Sequence, residues 1–140
     1  MKREAQAHWT GDIKTGRGRL STPSGALDGA SYGFASRFES GDGTNPEELI
    51  AAAHAGCYAM ALSLELTERG LAPDALHASA EVTLEEDGDG FAIPKIALKV
   101  RGKMDAEDEA AFLEAAQTAK SNCPVSKLVK AEITLDAALG

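Results

Sequence analysis

Cysteine is scarce in this 140-residue chain, with Cys57 and Cys123 as the only two. Two thiols exclude a disulfide-dense secreted scaffold and any metal site built from four thiolates. Aromatic residues are also sparse, at 5%, so the core has to rely on Ala, Leu, Ile and Val. Basic residues are in deficit: 14 Lys and Arg against 22 Asp and Glu leave a net charge of −8, with a pI near 4.8. Such a surface repels phosphate backbones and anionic lipid, which argues against nucleic-acid and membrane-surface binding. The longest stretch without a formal charge, Leu49 to Leu64, has 16 residues. That is short of the roughly 18 apolar residues of a membrane span, and Ala, Gly, His and Ser dilute it, so it reads as a buried helix. The N-terminus has no apolar run of the secretory kind, and the expectation is a soluble, cytoplasmic protein. His8, His54 and His77 show no metal-ligand spacing with each other or with the cysteines, so no metal is expected.

What is present is globular: 44% hydrophobic and 26% charged residues. No repeat, low-complexity tract or linker divides the chain, so residues 1–140 are read as one domain. A chain of this length buries roughly two-thirds of its unfolded surface, and dimerisation would supplement a core poor in large side chains.

Strand and turn signals fill the first 38 residues. Ala7, Trp9, Gly11 and Ile13 alternate with polar residues, the period of a half-buried strand. A second strand follows Gly16 and Gly18 and ends at Thr22-Pro23-Ser24-Gly25. Tyr32, Phe34 and Phe38 are expected on one face of a third strand, with Arg37 on the other. Gly16-Arg-Gly-Arg19 is no phosphate loop, since neither the Lys-Ser/Thr pair nor a helix follows. Thr44 or Asn45 ahead of Pro46-Glu47-Glu48 marks a helix start, and Gly70 a stop near Arg69. Leu49, Ala53, Cys57, Met60 and Leu64 have the spacing of one buried helical face. Leu76, Ala78, Ala80, Val82 and Leu84 form the clearest strand pattern. Asp87-Gly-Asp-Gly90 predicts a hairpin turn, and Ile96, Leu98 and Val100 line the return strand. Lys95, Lys99 and Arg101 are then placed to oppose Glu81 and Glu85. A helix from about Asp105 breaks at Ser121-Asn-Cys-Pro124, a short helix reaches Lys130, and a strand covers Glu132 to Ala137. The fold class is α+β, a largely antiparallel sheet covered by helices.

Cys57 lies mid-helix beside His54, where a packed core thiol is the ordinary outcome. His54 and Cys57 are helix neighbours at i, i+3, but no oxyanion-hole glycine motif or third group points to acyl transfer. Cys123 precedes Pro124 and falls at the N-cap of the short helix. There the amides of Val125 and Ser126 favour a thiolate; the alternative is a plain helix stop.

Two longer motifs carry more information. Gly43-Thr-Asn-Pro-Glu-Glu-Leu-Ile-Ala-Ala-Ala-His-Ala-Gly-Cys57 and Ser121-Asn-Cys-Pro-Val-Ser-Lys-Leu128 resemble the OsmC/Ohr family of osmotically inducible and organic hydroperoxide resistance proteins. The resemblance runs from Gln6-Ala-His-Trp-Thr-Gly-Asp-Ile13 to Ala131-Glu-Ile-Thr-Leu-Asp136, and the Ala-Ala-His-Ala run and Tyr32-Gly-Phe-Ala-Ser-Arg-Phe38 place it nearer the OsmC branch. It implies an intertwined homodimer with two interface sites. It also implies a thiol peroxidase in which Cys57 attacks an organic hydroperoxide and Cys123 resolves the sulfenic acid as a disulfide. Arg37 would be the site guanidinium, Glu47 the carboxylate orienting it, and Arg17 or Arg19 the second choice for the guanidinium. An external dithiol, with a lipoylated protein as candidate, would reduce the disulfide; no metal, haem or flavin is implied. Glu47 and Cys57 are ten residues apart, roughly 15 Å along a helix, so one helix can hardly supply both to one site. Antiparallel packing of two copies would give composite sites. Two other readings compete: a general thiol–disulfide oxidoreductase, and a non-catalytic dimeric stress or binding protein on the same fold.

Overall fold

In the computed structural model, which describes residues 1–140, the chain forms two compact units, residues 1–49 and 50–140.

The first unit is a three-stranded antiparallel sheet in the order β1 (Gln6–Thr10), β2 (Arg17–Ser21), β3 (Ala30–Tyr32). The β1–β2 connection is fixed by Asp12, whose carboxylate accepts the amides of Lys14 and Thr15 at 2.9 and 2.8 Å. Gly18 is obligatory, because a β-carbon there would overlap the Tyr32 ring on the neighbouring strand. Two expectations fail in this unit. β1 is exposed along its whole length rather than half-buried. The third strand ends at Tyr32, and Phe34–Phe38 is a short helix, α1. The cause is local: the Gly33 amide donates to Ser36 Oγ at 2.9 Å and the Arg37 amide donates to the Gly33 carbonyl at 3.2 Å. A serine that satisfies the backbone in this way overrides an alternating pattern.

Helix α2 (Pro46–Glu68) begins in the first unit and continues into the second. Asn45 caps it, its Oδ1 accepting the Glu48 amide at 2.8 Å. At the far end Leu71 N–H bonds Leu66 O and Gly70 N–H bonds Thr67 O, with Gly70 at φ +74°. This is a Schellman closure, and its left-handed position is why a glycine ends the helix. α2 is long and apolar enough to cross a membrane by length and composition. The face that packs in the second unit, however, is Tyr58, Leu62 and Leu66, all fully buried. The expected stripe is therefore displaced: Met60 is 77% and Leu64 58% exposed. A helix apolar on nearly all sides does not reveal by periodicity which side its neighbours will take.

The second unit has a sheet in the order β4 (Ala75–Asp87), β5 (Gly90–Lys103), β6 (Glu132–Leu139). β4 and β5 form the expected hairpin, closed by Gly88 and Asp89 with only the glycine at positive φ, +58°. β6 lies parallel to β5, because the chain returns through α3 (Glu109–Asn122) and α4 (Pro124–Leu128) before pairing. Lys95, Lys99 and Arg101 oppose Thr83, Ser79 and His77 rather than Glu81 and Glu85. Arg101 instead pairs with Asp136 on β6 at 2.8 Å. Beneath the sheet, Leu98 and Val100 meet Phe112, Ala115, Ala116 and Ala119 of α3. Small alanines let α3 approach closely, and Gly102 leaves room for the Phe112 ring.

Replacing Gly102 with alanine drives a methyl into a fully buried ring, and the expected cost is about 1–3 kcal/mol. Chemical denaturation should show a lower midpoint at unchanged slope; an unchanged midpoint would mean that α3 is not seated as described.

Candidate functional site

The helix break at Ser121-Asn-Cys-Pro124 places a thiol. Cys123 closes α3, its amide donating to Ala119 O at 2.9 Å, and opens α4, its carbonyl accepting the Lys127 amide at 3.1 Å. Pro124 occupies the first helical position, where its missing N–H costs nothing. This puts Cys123 Sγ 2.9 Å from Cys57 Sγ on α2. Both thiols are free, and the separation is well beyond the roughly 2.05 Å of a disulfide. Cys123 is fully buried, whereas Cys57 is partly open.

The two sulfurs differ in environment. Burial pushes the Cys57 thiol up, the hydrogen bond with Cys123 adds to this, and the Val125 amide opposes it. Burial also acts upward on Cys123. There it is outweighed by hydrogen bonds from Cys57, from the amide and hydroxyl of Ser126 and from the Val125 amide, so the thiol falls below its ordinary value. Of the two, the thiol at the start of α4 is therefore the more acidic. Tyr58, raised by burial and by the charge of Cys123, stays neutral and donates to Ala116 O at 3.2 Å.

His54 is fully buried one turn before Cys57. Its hydrogen bond goes to α4, where Nε2 lies 2.8 Å from Ser126 Oγ. Burial pushes its pKa down, which keeps the ring neutral. The sequence reading names the Ser126 amide but not its hydroxyl, although a side chain three residues after Cys123 is placed to meet the cap. Tyr58 went unnoticed for the same reason that the buried stripe of α2 was misplaced.

The first unit contains the second constellation. Glu47 stands in the first turn of α2 and Arg37 in the last turn of α1. Arg37 Nη2 donates to Glu47 Oε1 at 2.8 Å, and Nε lies 3.2 and 3.3 Å from the two carboxylate oxygens. The side chains are 38% and 10% exposed, respectively. The intervening loop is fixed by Ser36 Oγ donating to Thr44 O at 2.8 Å and Asn45 Nδ2 donating to Ser36 O at 3.0 Å. Arg37 also lines a cavity of about 160 Å³. Trp9, Ile13, Tyr32, Phe34 and Phe38 make the cavity wall chiefly apolar. The rings support each other, with Trp9–Tyr32 centroids 5.6 Å apart and Phe34–Phe38 centroids 5.0 Å apart. Arg17 and Arg19 are exposed on β2, and Arg19 donates to Gly29 O at 3.0 Å; neither has a carboxylate partner. The expected site residues thus fall into two assembled pairs, Cys57 with Cys123 and Arg37 with Glu47.

A dithiol held at hydrogen-bonding distance beneath a helix start is the equipment of a thiol-based redox enzyme. The family model described as OsmC-like protein matches residues 39–138, and the chain belongs to the OsmC family. It is 53% identical over 136 residues to the peroxiredoxin OsmC of Escherichia coli strain K12, covering 97% of this chain and 95% of that one. It is 32% identical over 100 residues to organic hydroperoxide resistance protein-like 1 of Staphylococcus epidermidis, covering 69% of each. Among solved structures, the organic hydroperoxide resistance protein OhrB of Bacillus subtilis superposes with a TM-score of 0.71 at 26% identity, covering 98% of both chains. An OsmC-like protein of Vibrio cholerae shares the fold, with a TM-score of 0.75 at 14% identity and coverage of 98% and 99%. The chain is a cysteine-based peroxidase.

One equivalent of a mild oxidant is expected to join Cys57 to Cys123 within a single chain. Intact mass should fall by two hydrogens, and a non-reducing gel should show no covalent dimer. Disulfide-linked dimers instead would contradict the 2.9 Å geometry.

Proposed function

We propose that the chain reduces organic hydroperoxides to alcohols in preference to hydrogen peroxide, using Cys57 as attacking and Cys123 as resolving thiol. The observation that carries this reading is the 2.9 Å sulfur pair, which closes to a disulfide by a shift of about 1 Å. Cys57 is the attacker because its sulfur belongs to the partly open residue. Passing its proton to Cys123 leaves Cys57 a thiolate. It attacks the terminal peroxide oxygen, breaking the O–O bond to give Cys57–SOH and an alkoxide, which takes the proton from Cys123 to become the alcohol and leaves Cys123 a thiolate. Cys123 thiolate then displaces hydroxide, which leaves as water after protonation, and the Cys57–Cys123 disulfide forms. An external dithiol, a lipoyl group among the candidates, restores both thiols by exchange and is itself oxidised.

Arg37 has the role of stabilising the thiolate and the developing alkoxide, with Glu47 fixing the guanidinium plane through its two-point contact. The apolar cavity beside Arg37 suits an alkyl or aryl substituent better than a bare hydroxyl. We further propose that residues 1–140 act as one domain in a homodimer with composite sites in the cytoplasm. The exposed Met60 and Leu64 on α2 give apolar surface for a second copy, and the ten-residue gap between Glu47 and Cys57 favours supply from two chains.

Consumption of tert-butyl hydroperoxide and hydrogen peroxide with excess dithiol tests the reading. The organic substrate should be turned over faster, Cys57→Ser should be inactive, and Glu47→Gln should fall roughly 10- to 100-fold. Wild-type activity in Cys57→Ser would overturn the mechanism. Turnover of protein disulfides with neglect of both peroxides would mark a general thiol–disulfide oxidoreductase.

A further inference from the structure

His54 has no place in the mechanism above, yet it is wholly buried and reaches across to the turn that carries Cys123. Its Nδ1 is buried with no partner, while Nε2 is 2.8 Å from Ser126 Oγ. These two facts choose the tautomer. With the proton on Nδ1, a buried N–H would be stranded, and Ser126 would spend its single hydroxyl proton on Nε2. With the proton on Nε2, only a lone pair at Nδ1 goes unpaired, which is the less costly omission. Ser126 then accepts from His54 and keeps its own proton for Sγ of Cys123, the N-cap of the same short helix three residues back.

We propose that His54 is a positioning residue for the resolving thiol, acting through a one-way relay from His54 Nε2–H to Ser126 Oγ–H to Cys123 Sγ. The relay orients the serine hydroxyl toward the sulfur and holds Cys123 as a thiolate ready to displace hydroxide from Cys57–SOH. The role rests on Cys123 being the resolving thiol. No electron passes through His54 or Ser126, and neither gains nor loses a proton in the step.

The other ionisable groups around Cys123 do not perform this task. Cys57 Sγ lies 2.9 Å from Cys123 Sγ as its disulfide partner in the proposed step, and Tyr58 on α2 donates to Ala116 O. On α3, Lys120 Nζ is directed to Ile133 O at 3.5 Å, and Glu65 of α2 is held by Arg69 and Asn122. Lys127 on α4 is exposed. A hydrogen bond to a thiolate raises its population by more than it blunts its nucleophilicity, because reactivity falls by only about half the logarithm of the acidity change. At a pH below the Cys123 midpoint, a loss of about one pH unit in acidity should therefore slow resolution roughly threefold.

The test uses reduced protein in the Cys57→Ser background, where ultraviolet thiolate absorbance reports Cys123 alone and no peroxide is needed. Ser126→Ala should raise the titration midpoint by about one pH unit, and Ser126→Thr, which keeps a hydroxyl, should restore it. His54→Leu should raise the midpoint by less, and the double variant should titrate like Ser126→Ala alone. In otherwise wild-type protein, nitrogen NMR should show His54 neutral with its proton on Nε2, a readout that needs no variant to fold. A proton on Nδ1, an unchanged midpoint in Ser126→Ala, or additive effects of the two substitutions would each overturn the relay. Failure of the peroxidase reading would leave these midpoints as predicted while peroxide went unconsumed, so the two failures are distinguishable.

Discussion

The second unit is organised around two sulfur atoms held 2.9 Å apart although they lie 66 residues apart in the chain. Three separate pieces of folding must agree to bring them there. α2 must seat Tyr58, Leu62 and Leu66 in the core, which turns Cys57 toward α4. α3 must lie close on the sheet, which its alanines and Gly102 permit. The chain must also break at Cys123-Pro124, so that one residue ends a helix and starts another. The break is chemical as well as structural, since the freed amides of α4 and the Ser126 hydroxyl draw negative charge to Cys123. Two thiols of one type thus become unlike: one buried with its pKa drawn down, the other more open with its pKa pushed up.

The first unit applies a different principle. Four of the seven aromatic residues, Trp9, Tyr32, Phe34 and Phe38, line one small cavity instead of building a core. A guanidinium fixed by a mostly buried carboxylate stands at its wall. A fixed cation next to apolar surface is what a polar head with an organic tail requires. The sparseness of aromatics in the composition therefore reflects where they are spent.

Features whose signal is local were readable in sequence. Asn45 and Gly70 bracket α2, Asp87-Gly-Asp-Gly90 turns the β4–β5 hairpin, and Cys-Pro divides α3 from α4. The β4 alternation is also explicit, because one face of that strand meets the core. Features set by tertiary choice were not readable. The apolar α2 offers more than one stripe, so Met60 and Leu64 looked as buried as Leu62 and Leu66 are. α1 was hidden because Ser36 satisfies the backbone locally within a segment that alternates like a strand. The parallel course of β6 depends on the length of the crossover rather than on any residue in it. At the site, Cys57, Cys123, Arg37 and Glu47 and their pairing came from motif resemblance, and the structure adds the distances. The His54–Ser126 contact spans 72 positions, and only the fold reveals it.

The central claim is that Cys57 meets the peroxide and Cys123 answers from within the same chain. The direct measurement is peptide mapping of a sulfenic-acid trap after less than one equivalent of organic hydroperoxide, on wild type and on each single-cysteine variant. The account predicts a trapped adduct on Cys57 in Cys123→Ser, no adduct on Cys123 in Cys57→Ser, and in wild type a disulfide that forms too fast to trap. An adduct on Cys123 with Cys57 unmodified would contradict it.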